Sequence, residues 1–470
     1  MRVLFISTYG NLPAGMRYIA SYLEKHGHDV CLSLLKYPSE SSMRSLLASR
    51  SPEIIGFTCY TLDTLKVLDA AGIAKMILPQ AKIVLGNIHA TVFHKSILEQ
   101  FSFIDYIVIG EGEVPMKELL DSLCGQMPVK DVANIAYRDG SGIVCRSRSA
   151  KEFVGFNEVS DFLKRRVPVE LITANYRRFS NMFRKHGLSF QRPAYIFASR
   201  GCSYSCDYCS ENRMSGHNWR IKSPERVVDT IEKIYRDHHI IDFSFEDPLF
   251  TCNKQWVNDF CRELDRRGLK IRWSVLTHPG YLSKDLISMM NSSGCVHITF
   301  GLDCLTAEKI FEYRKIKVDY MSLAGIVRLI RSLEMTVRIN IIVGWPDEKL
   351  RYIFKGIRHL VNLMPTHLVV YPFQYIPGSL MFDRGVEEGL ISPDYWMDRK
   401  RPAQLWVHRT GNNRLTKYVK LRLHQFIVGF VWCVTCRGIS GKMYFIAYYL
   451  ESLLNSVKYL SESIQKRILG

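Results

Sequence analysis

The 470-residue chain has no apolar run approaching the roughly 20 residues that a bilayer-spanning helix needs; its aromatic stretches at 426–432 and 443–449 are far shorter. The first residues, Met1-Arg2-Val3-Leu4-Phe5-Ile6, are too short for a secretory h-region and no small-residue cleavage site follows them, so they are expected to form a first strand. There is no low-complexity stretch, and 47% apolar content is enough for ordinary cores, which excludes a disordered chain. Acidic residues are few: 45 against 63 Lys and Arg, with only Glu451 and Glu462 in the final seventy residues. The basic excess is scattered and never gathers into an arginine-lysine stripe between aromatics, so solvated helix faces are expected rather than a nucleic-acid surface.

The 13 cysteines, in a long chain without an export signal, fit a reducing, cytoplasmic compartment. Three of them stand in Cys202-Ser203-Tyr204-Ser205-Cys206-Asp207-Tyr208-Cys209. A structural zinc site would need a fourth ligand, and no second Cys or His pair follows at the necessary spacing. Three clustered thiolates instead suit a four-iron cluster with one iron left open to a small molecule. The apolar run Tyr195-Ile196-Phe197-Ala198-Ser199 feeds the loop as a strand, and Gly201 allows the tight backbone needed there.

This Cys-x-x-x-Cys-x-aromatic-Cys pattern resembles that of the radical S-adenosylmethionine (SAM) superfamily. The resemblance implies that Cys202, Cys206 and Cys209 bind three irons of a [4Fe-4S] cluster, that SAM chelates the fourth iron, and that Tyr208 supplies the aromatic.

Ahead of the motif, apolar strands alternate with helical stretches from Val3 to Ile109, the rhythm of a parallel sheet covered by helices. Ligands in such sheets sit at the carboxyl ends of strands. Those ends fall at Ser7-Thr8-Tyr9-Gly10, Thr58-Cys59-Tyr60-Thr61, Gly86-Asn87-Ile88-His89 and Gly110-Glu111-Gly112-Glu113. Together with Pro13 and the Gly27-His28-Asp29-Val30 turn, these loops resemble a cobalamin-binding domain. The resemblance implies cobalamin contacts from Thr8, Tyr9, Thr58, Thr61, Gly86, His89, Gly110 and Glu111. The Asp-x-His-x-x-Gly loop that ligates cobalt in some cobalamin proteins is missing, so His89 is expected as a loop histidine rather than a cobalt ligand.

From residue 193 the βα rhythm resumes, with six expected strands beginning near Tyr195, Ile241, Ile271, His297, Arg338 and Leu368. Six βα units make a partial barrel, with chemistry at the carboxyl ends of its strands. Glu246-Asp247 after the second strand is similar to the family's motif for the SAM ammonium, where paired carboxylates suit a cation. Asp303 after the fourth stands where related proteins often have glutamate near the ribose. Gly344-Trp345-Pro346-Asp347-Glu348 resembles a Gly-x-Pro-Gly-Glu turn, which adds Gly344 and Glu348 to the SAM contacts. Pro377-Gly378-Ser379 is similar to the end of the core. His278, His297 and the Cys433/Cys436 pair are expected to be structural.

The expected fold is α/β: a Rossmann-like, doubly wound cobalamin-binding domain (1–135), a hairpin and linker (136–190), a partial (β/α)6 TIM-type radical SAM core (191–384) and a helical C-terminal domain (385–470). Within the resemblance, C-methylation of an unactivated carbon is the expected reaction. Oxidative cyclisation or rearrangement stays open, because the same domains host both. A non-catalytic iron–sulfur sensor or electron carrier would not need the SAM-like motifs, and an RNA methylthiotransferase would carry further N-terminal cysteines. A small or hydrophobic substrate and a reducing donor such as flavodoxin or ferredoxin are implied. The aromatic tail, with Arg414, Lys417, Lys420 and Arg422 near it, is expected as a packing helix, a substrate lid or a peripheral membrane contact.

Overall fold

In the computed structural model, the described residues are 1–398 apart from 10–11, 143, 148–192, 217, 347 and 349. The expectations for residues 399–470, and for Asp347, lie outside them. Among the described residues no helix is long and apolar enough to cross a membrane.

The first sheet contains β1 (Arg2–Ser7), β2 (Asp29–Leu34), β3 (Ile54–Thr58), β4 (Lys82–Gly86) and β5 (Tyr106–Val108), in the order β2-β1-β3-β4-β5 and all parallel. Val3 to Ser7 of β1 and all of β3 are buried, as a sheet covered by helices on both faces requires. The chain runs outward from β1 to β2 and then returns to the other side of β1 for β3. The topological switch point, where open α/β sheets bind ligands, therefore lies between β1 and β3.

A hairpin of β6 (Ile135–Arg138) and β7 (Val144–Arg146) adds antiparallel to β5, so the sheet reaches seven strands. The sequence places the hairpin after the first domain; in the structure it covers what would otherwise be the open edge of β5.

The second sheet has six parallel strands in chain order: β8 (Ala194–Ile196), β11 (Asp242–Phe245), β12 (Arg272–Thr277), β13 (Cys295–Asp303), β14 (Thr336–Val343) and β15 (His367–Pro372). Between β8 and β11, β9 (Ser199–Arg200) and β10 (Arg220–Ile221) form a short antiparallel ladder around the cysteine loop. Helices join successive strands. The helix Pro224–His238, for example, starts where the Ser223 hydroxyl accepts the Arg226 N–H and Pro224 supplies a preset first turn.

Alternation along β14 defines the two faces of this sheet. Val337, Ile339, Ile341 and Val343 are completely buried in the helix-facing core, while Thr336, Arg338, Asn340 and Ile342 are half-buried toward the barrel interior.

Candidate active site

The cysteine loop is held from below and from both sides. Gly201 has φ +83°, and a side chain on it would collide with the Asn218 carbonyl, so only glycine lets the chain turn from β9 into the thiols. Asp247, at the end of the β11 connection, accepts the Ala198 N–H at 3.1 Å, the Ser199 hydroxyl at 2.5 Å and the Ser199 N–H. Asp247 is fully enclosed, and burial raises its carboxyl to about 6. The carboxylate fixes the backbone entering the cluster loop.

Cys202, Cys206 and Cys209 are all free thiols on this loop. Burial raises the Cys202 and Cys206 thiols; the Tyr204 backbone partly offsets this at Cys202, and Arg314 beside Cys206 favours its thiolate. Among the described residues no three His, Cys, Asp or Glu side chains are grouped to hold a single metal ion. The three thiols belong to one short loop that follows Gly201.

Arg314 is the residue the sequence does not reveal. It is buried, pairs with Asp303 Oδ2 at 2.8 Å and donates to the Gly301 carbonyl. Tyr208 donates its hydroxyl to the same Oδ2 at 2.6 Å. Asp303 stands at φ +64° beside a register shift in β13, which turns its carboxylate toward the cysteine loop. Tyr208, Asp303 and Arg314 therefore form a bridge between the loop and the barrel rim. Both contacts fall on Oδ2.

After the neighbouring strand β14, the Tyr208 ring meets the edge of Trp345 at 5.3 Å, and Trp345 stacks on Tyr313 at 4.4 Å. Gly344, at φ +83°, donates its N–H to Glu348 Oε2 at 2.5 Å. Glu348 thus closes the turn after β14. Glu246 is exposed just beyond β11; Ser244 donates to it at 3.0 Å, and partial loss of hydration raises its carboxyl above the ordinary range.

A cavity of about 360 Å³ lies between the carboxyl edge of the first sheet and this barrel rim. Its volume falls in the range of small-molecule and cofactor sites, about 300–1,000 Å³. Thr58, Gly86 and Gly110 line one wall, and Arg200, Gly201 and Glu246 line the other. Gly110 has φ +77°, and its backbone forms the wall. Asn87 and Tyr60, which the sequence did not single out, also line it; the Asn87 side-chain amide donates to the Thr58 hydroxyl at 3.0 Å.

The remaining expected cobalamin contacts divide. Thr8 and Thr61 are buried near the strand ends, outside the cavity wall, and neither hydroxyl has a hydrogen-bond partner among the described residues. Tyr9 is exposed and packs on Tyr60 at 5.3 Å. His89 is wholly buried in the short helix Ile88–Val92 against Phe93 and does not line the cavity. Glu111 lines the cavity, yet its two oxygens pair with Arg200 at 3.0 Å and with Arg220. Its carboxylate joins the two sheets instead of standing free for a ligand.

The donors fit the expected groups: thiols on one loop for a cluster, Glu246 and the Asp303 bridge for SAM, and a glycine-walled cavity at a switch point for a flat cofactor. Comparison with known families bears on the same two regions. The B12 binding domain model matches residues 2–120, and the radical SAM superfamily model matches residues 196–357. The chain is a cobalamin-binding radical SAM protein.

This radical SAM protein is 23% identical over 386 residues to an uncharacterised methyltransferase of Pyrococcus horikoshii, covering 82% of the chain and 80% of that relative. It is 26% identical over 346 residues to the anaerobic magnesium-protoporphyrin IX monomethyl ester cyclase of Cereibacter sphaeroides, covering 72% of the chain but 54% of the cyclase. The chain spans about half of that cyclase's length. The solved radical SAM methyltransferase TsrM of Kitasatospora setae, with cobalamin and a [4Fe-4S] cluster bound, superposes with a TM-score of 0.69 at 18% identity, over 82% of this chain and 74% of TsrM. At that identity the likeness to TsrM is one of fold.

Proposed function

We propose that this cobalamin-binding radical SAM protein is a methyltransferase that acts on an unactivated carbon of a small molecule. The observation that carries the reading is the single cavity bordered by the cobalamin-side strand ends and by the barrel's Glu246 and Gly201. A substrate carbon there would lie within reach of both cofactors without leaving the enclosed space, which keeps reactive species from water. When bound, the cluster, SAM and cobalamin supply the electron, the hydrogen-abstracting fragment and the methyl carrier. The protein's own residues do the positioning. Cys202, Cys206 and Cys209 hold the cluster, Glu246 receives the SAM ammonium, and the Tyr208–Asp303–Arg314 bridge fixes the loop against the rim. Thr58, Asn87, Gly86 and Gly110 form the seat for the corrin. An external donor such as flavodoxin or ferredoxin provides the electrons.

A second reading, cobalamin-assisted cyclisation, is favoured by the similarity to the magnesium-protoporphyrin cyclase over 72% of this chain. Isotope tracing separates the two. SAM carrying a labelled methyl group is added anaerobically to the reconstituted, reduced protein. Label recovered on the protein-bound cobalamin supports methyl transfer; SAM cleavage without label on the cobalamin supports cyclisation.

A further inference from the structure

One barrel helix ends against the cysteine loop. Asp207, the residue after Cys206, donates its N–H to the Tyr313 carbonyl at 2.8 Å, and Tyr313 directly precedes Arg314, the last residue of the helix Ala307–Arg314. The Arg314 side chain is 8% exposed; its Nη1 pairs with Asp303 Oδ2 at 2.8 Å and also donates to the Gly301 carbonyl. Held at these two points, the guanidinium keeps a fixed position beside the thiols.

Arg314 also hydrogen-bonds the Cys206 thiol. Burial acts first on Cys206 and raises it; the Arg314 charge and hydrogen bond come next and favour the thiolate, ahead of the opposing charge of Asp303. At Cys202 burial again acts first, Glu211 adds to it, and Arg314 works against both. At Cys209 burial raises the thiol and Glu211 adds to it. The Arg314–Asp303 pair is therefore a dipole whose positive end meets a cluster thiol. Reduction adds one electron to a cluster held by negative thiolates, so a fixed cation at a ligating sulfur stabilises the reduced form more than the oxidised one. A carboxylate at the same place does the reverse.

We propose that the Arg314–Asp303 pair sets the reduction potential of the iron–sulfur cluster, Arg314 raising it through Cys206 and Asp303 lowering it. The step concerned is the passage of one electron from the external donor to the cluster, with no bond made or broken. Arg314 acts through Cys206, so it is a positioning residue for that electron in addition to fixing the loop. This deepens the reading of Cys202, Cys206 and Cys209 as cluster ligands and rests on it.

Full-length protein is reconstituted with iron and sulfide, its iron and sulfide content is measured, and its potential is read without SAM by redox titration followed by cluster EPR. Wild type is compared with Arg314→Met, Arg314→Lys, Asp303→Asn and the double variant Arg314→Met, Asp303→Asn. Arg314→Met should make the cluster about 10- to 100-fold harder to reduce, the value of a hydrogen bond to a charged group. At 59 mV per tenfold for one electron, that is a fall of about 59–118 mV. Arg314→Lys keeps the charge and should stay closer to the wild type. Asp303→Asn should shift the potential upward, and the double variant should return toward the wild-type value. Disturbed packing alone would not reverse its sign with the sign of the charge removed.

Equal potentials in wild type and Arg314→Met, or shifts of the same sign in Arg314→Met and Asp303→Asn, would overturn the proposal. An unchanged potential with SAM affinity lost in Arg314→Met would overturn it too, by assigning the guanidinium to SAM. Loss of the cluster from both Arg314 variants would make the residue structural and count against the proposal. If Arg314→Met alone fails to load, the Asp303→Asn shift decides: upward supports the pair, unchanged or downward sinks it. A wild type without a reducible cluster would sink the cluster reading itself, a result distinct from a cluster present at unshifted potentials.

Discussion

The Arg200 guanidinium donates to the Glu113 carboxylate at 2.6 Å, and through that contact the residue immediately before the cysteine loop is tied to the first sheet. Glu111 takes a second Arg200 nitrogen at 3.0 Å, and the guanidinium also lies 4.8 Å from the centre of the Tyr18 ring. Arg17 adds a further link, donating from Nη2 to the Tyr195 carbonyl at 2.8 Å. The cluster loop and the cobalamin-side loops are thus positioned relative to each other by charge and by backbone bonds.

Removing one partner from this joint leaves the other charge enclosed and unpaired. Glu113 is buried, so Glu113→Gln should cost about 3–5 kcal/mol. A clear fall in the denaturant midpoint, with earlier proteolysis between the two sheets, is the expected result. An unchanged midpoint would show that the pair does not hold the joint.

The cluster loop should not tolerate a side chain at its entrance. Gly201→Ala forces a left-handed conformation that costs a non-glycine residue about 1–2 kcal/mol and drives the methyl group into the Asn218 carbonyl. Iron and sulfide bound per chain after reconstitution should fall well below the wild-type content. Full iron loading would contradict the described turn.

Much of this arrangement is legible in the sequence, and the rest fails for identifiable reasons. The parallel strands are visible as apolar runs because both faces of their sheets are covered, and the thiol spacing and Gly201 are local signals. Glu111 and Arg200 are 89 residues apart, so their pairing cannot be seen along the chain. The three bonds that Asp247 accepts from Ala198 and Ser199, 48 and 49 residues away, are likewise invisible along the chain. Arg314 lies in a helix of unremarkable composition, and the bend in β13 that brings Asp303 to it follows from a register shift.

The Tyr208–Asp303–Arg314 bridge predicts an effect on SAM binding rather than on folding alone. Asp303→Asn should weaken SAM about 10- to 100-fold, the value of a hydrogen bond to a charged group at about 1.5–3 kcal/mol, and Tyr208→Phe should weaken it less. Titration of SAM into the reduced protein, read by cluster EPR, measures both. Wild-type affinity in Asp303→Asn would remove the bridge from the SAM site.

Acid sensitivity should come in part from the barrel floor. Burial, followed by the Arg338 charge, lowers His367 from 6.5 to about 4. A neutral histidine in the fold faces one that takes a proton when unfolded, so its stabilising contribution is complete above pH 6.5 and is lost as pH falls from there toward 4. The slope for one such group is about 1.4 kcal/mol per pH unit. Denaturation midpoints at several pH values in this window should fall less steeply for His367→Gln than for the wild type. Parallel slopes would contradict the assignment.

The most direct measurement is anaerobic SAM cleavage by the protein reconstituted with iron, sulfide and hydroxocobalamin, beside the Cys202→Ala, Cys206→Ala, Cys209→Ala triple variant. The account predicts 5′-deoxyadenosine from the wild type only, with one cobalamin retained per chain. Cleavage by the triple variant, or a reconstituted wild-type cluster that leaves SAM intact, would contradict it.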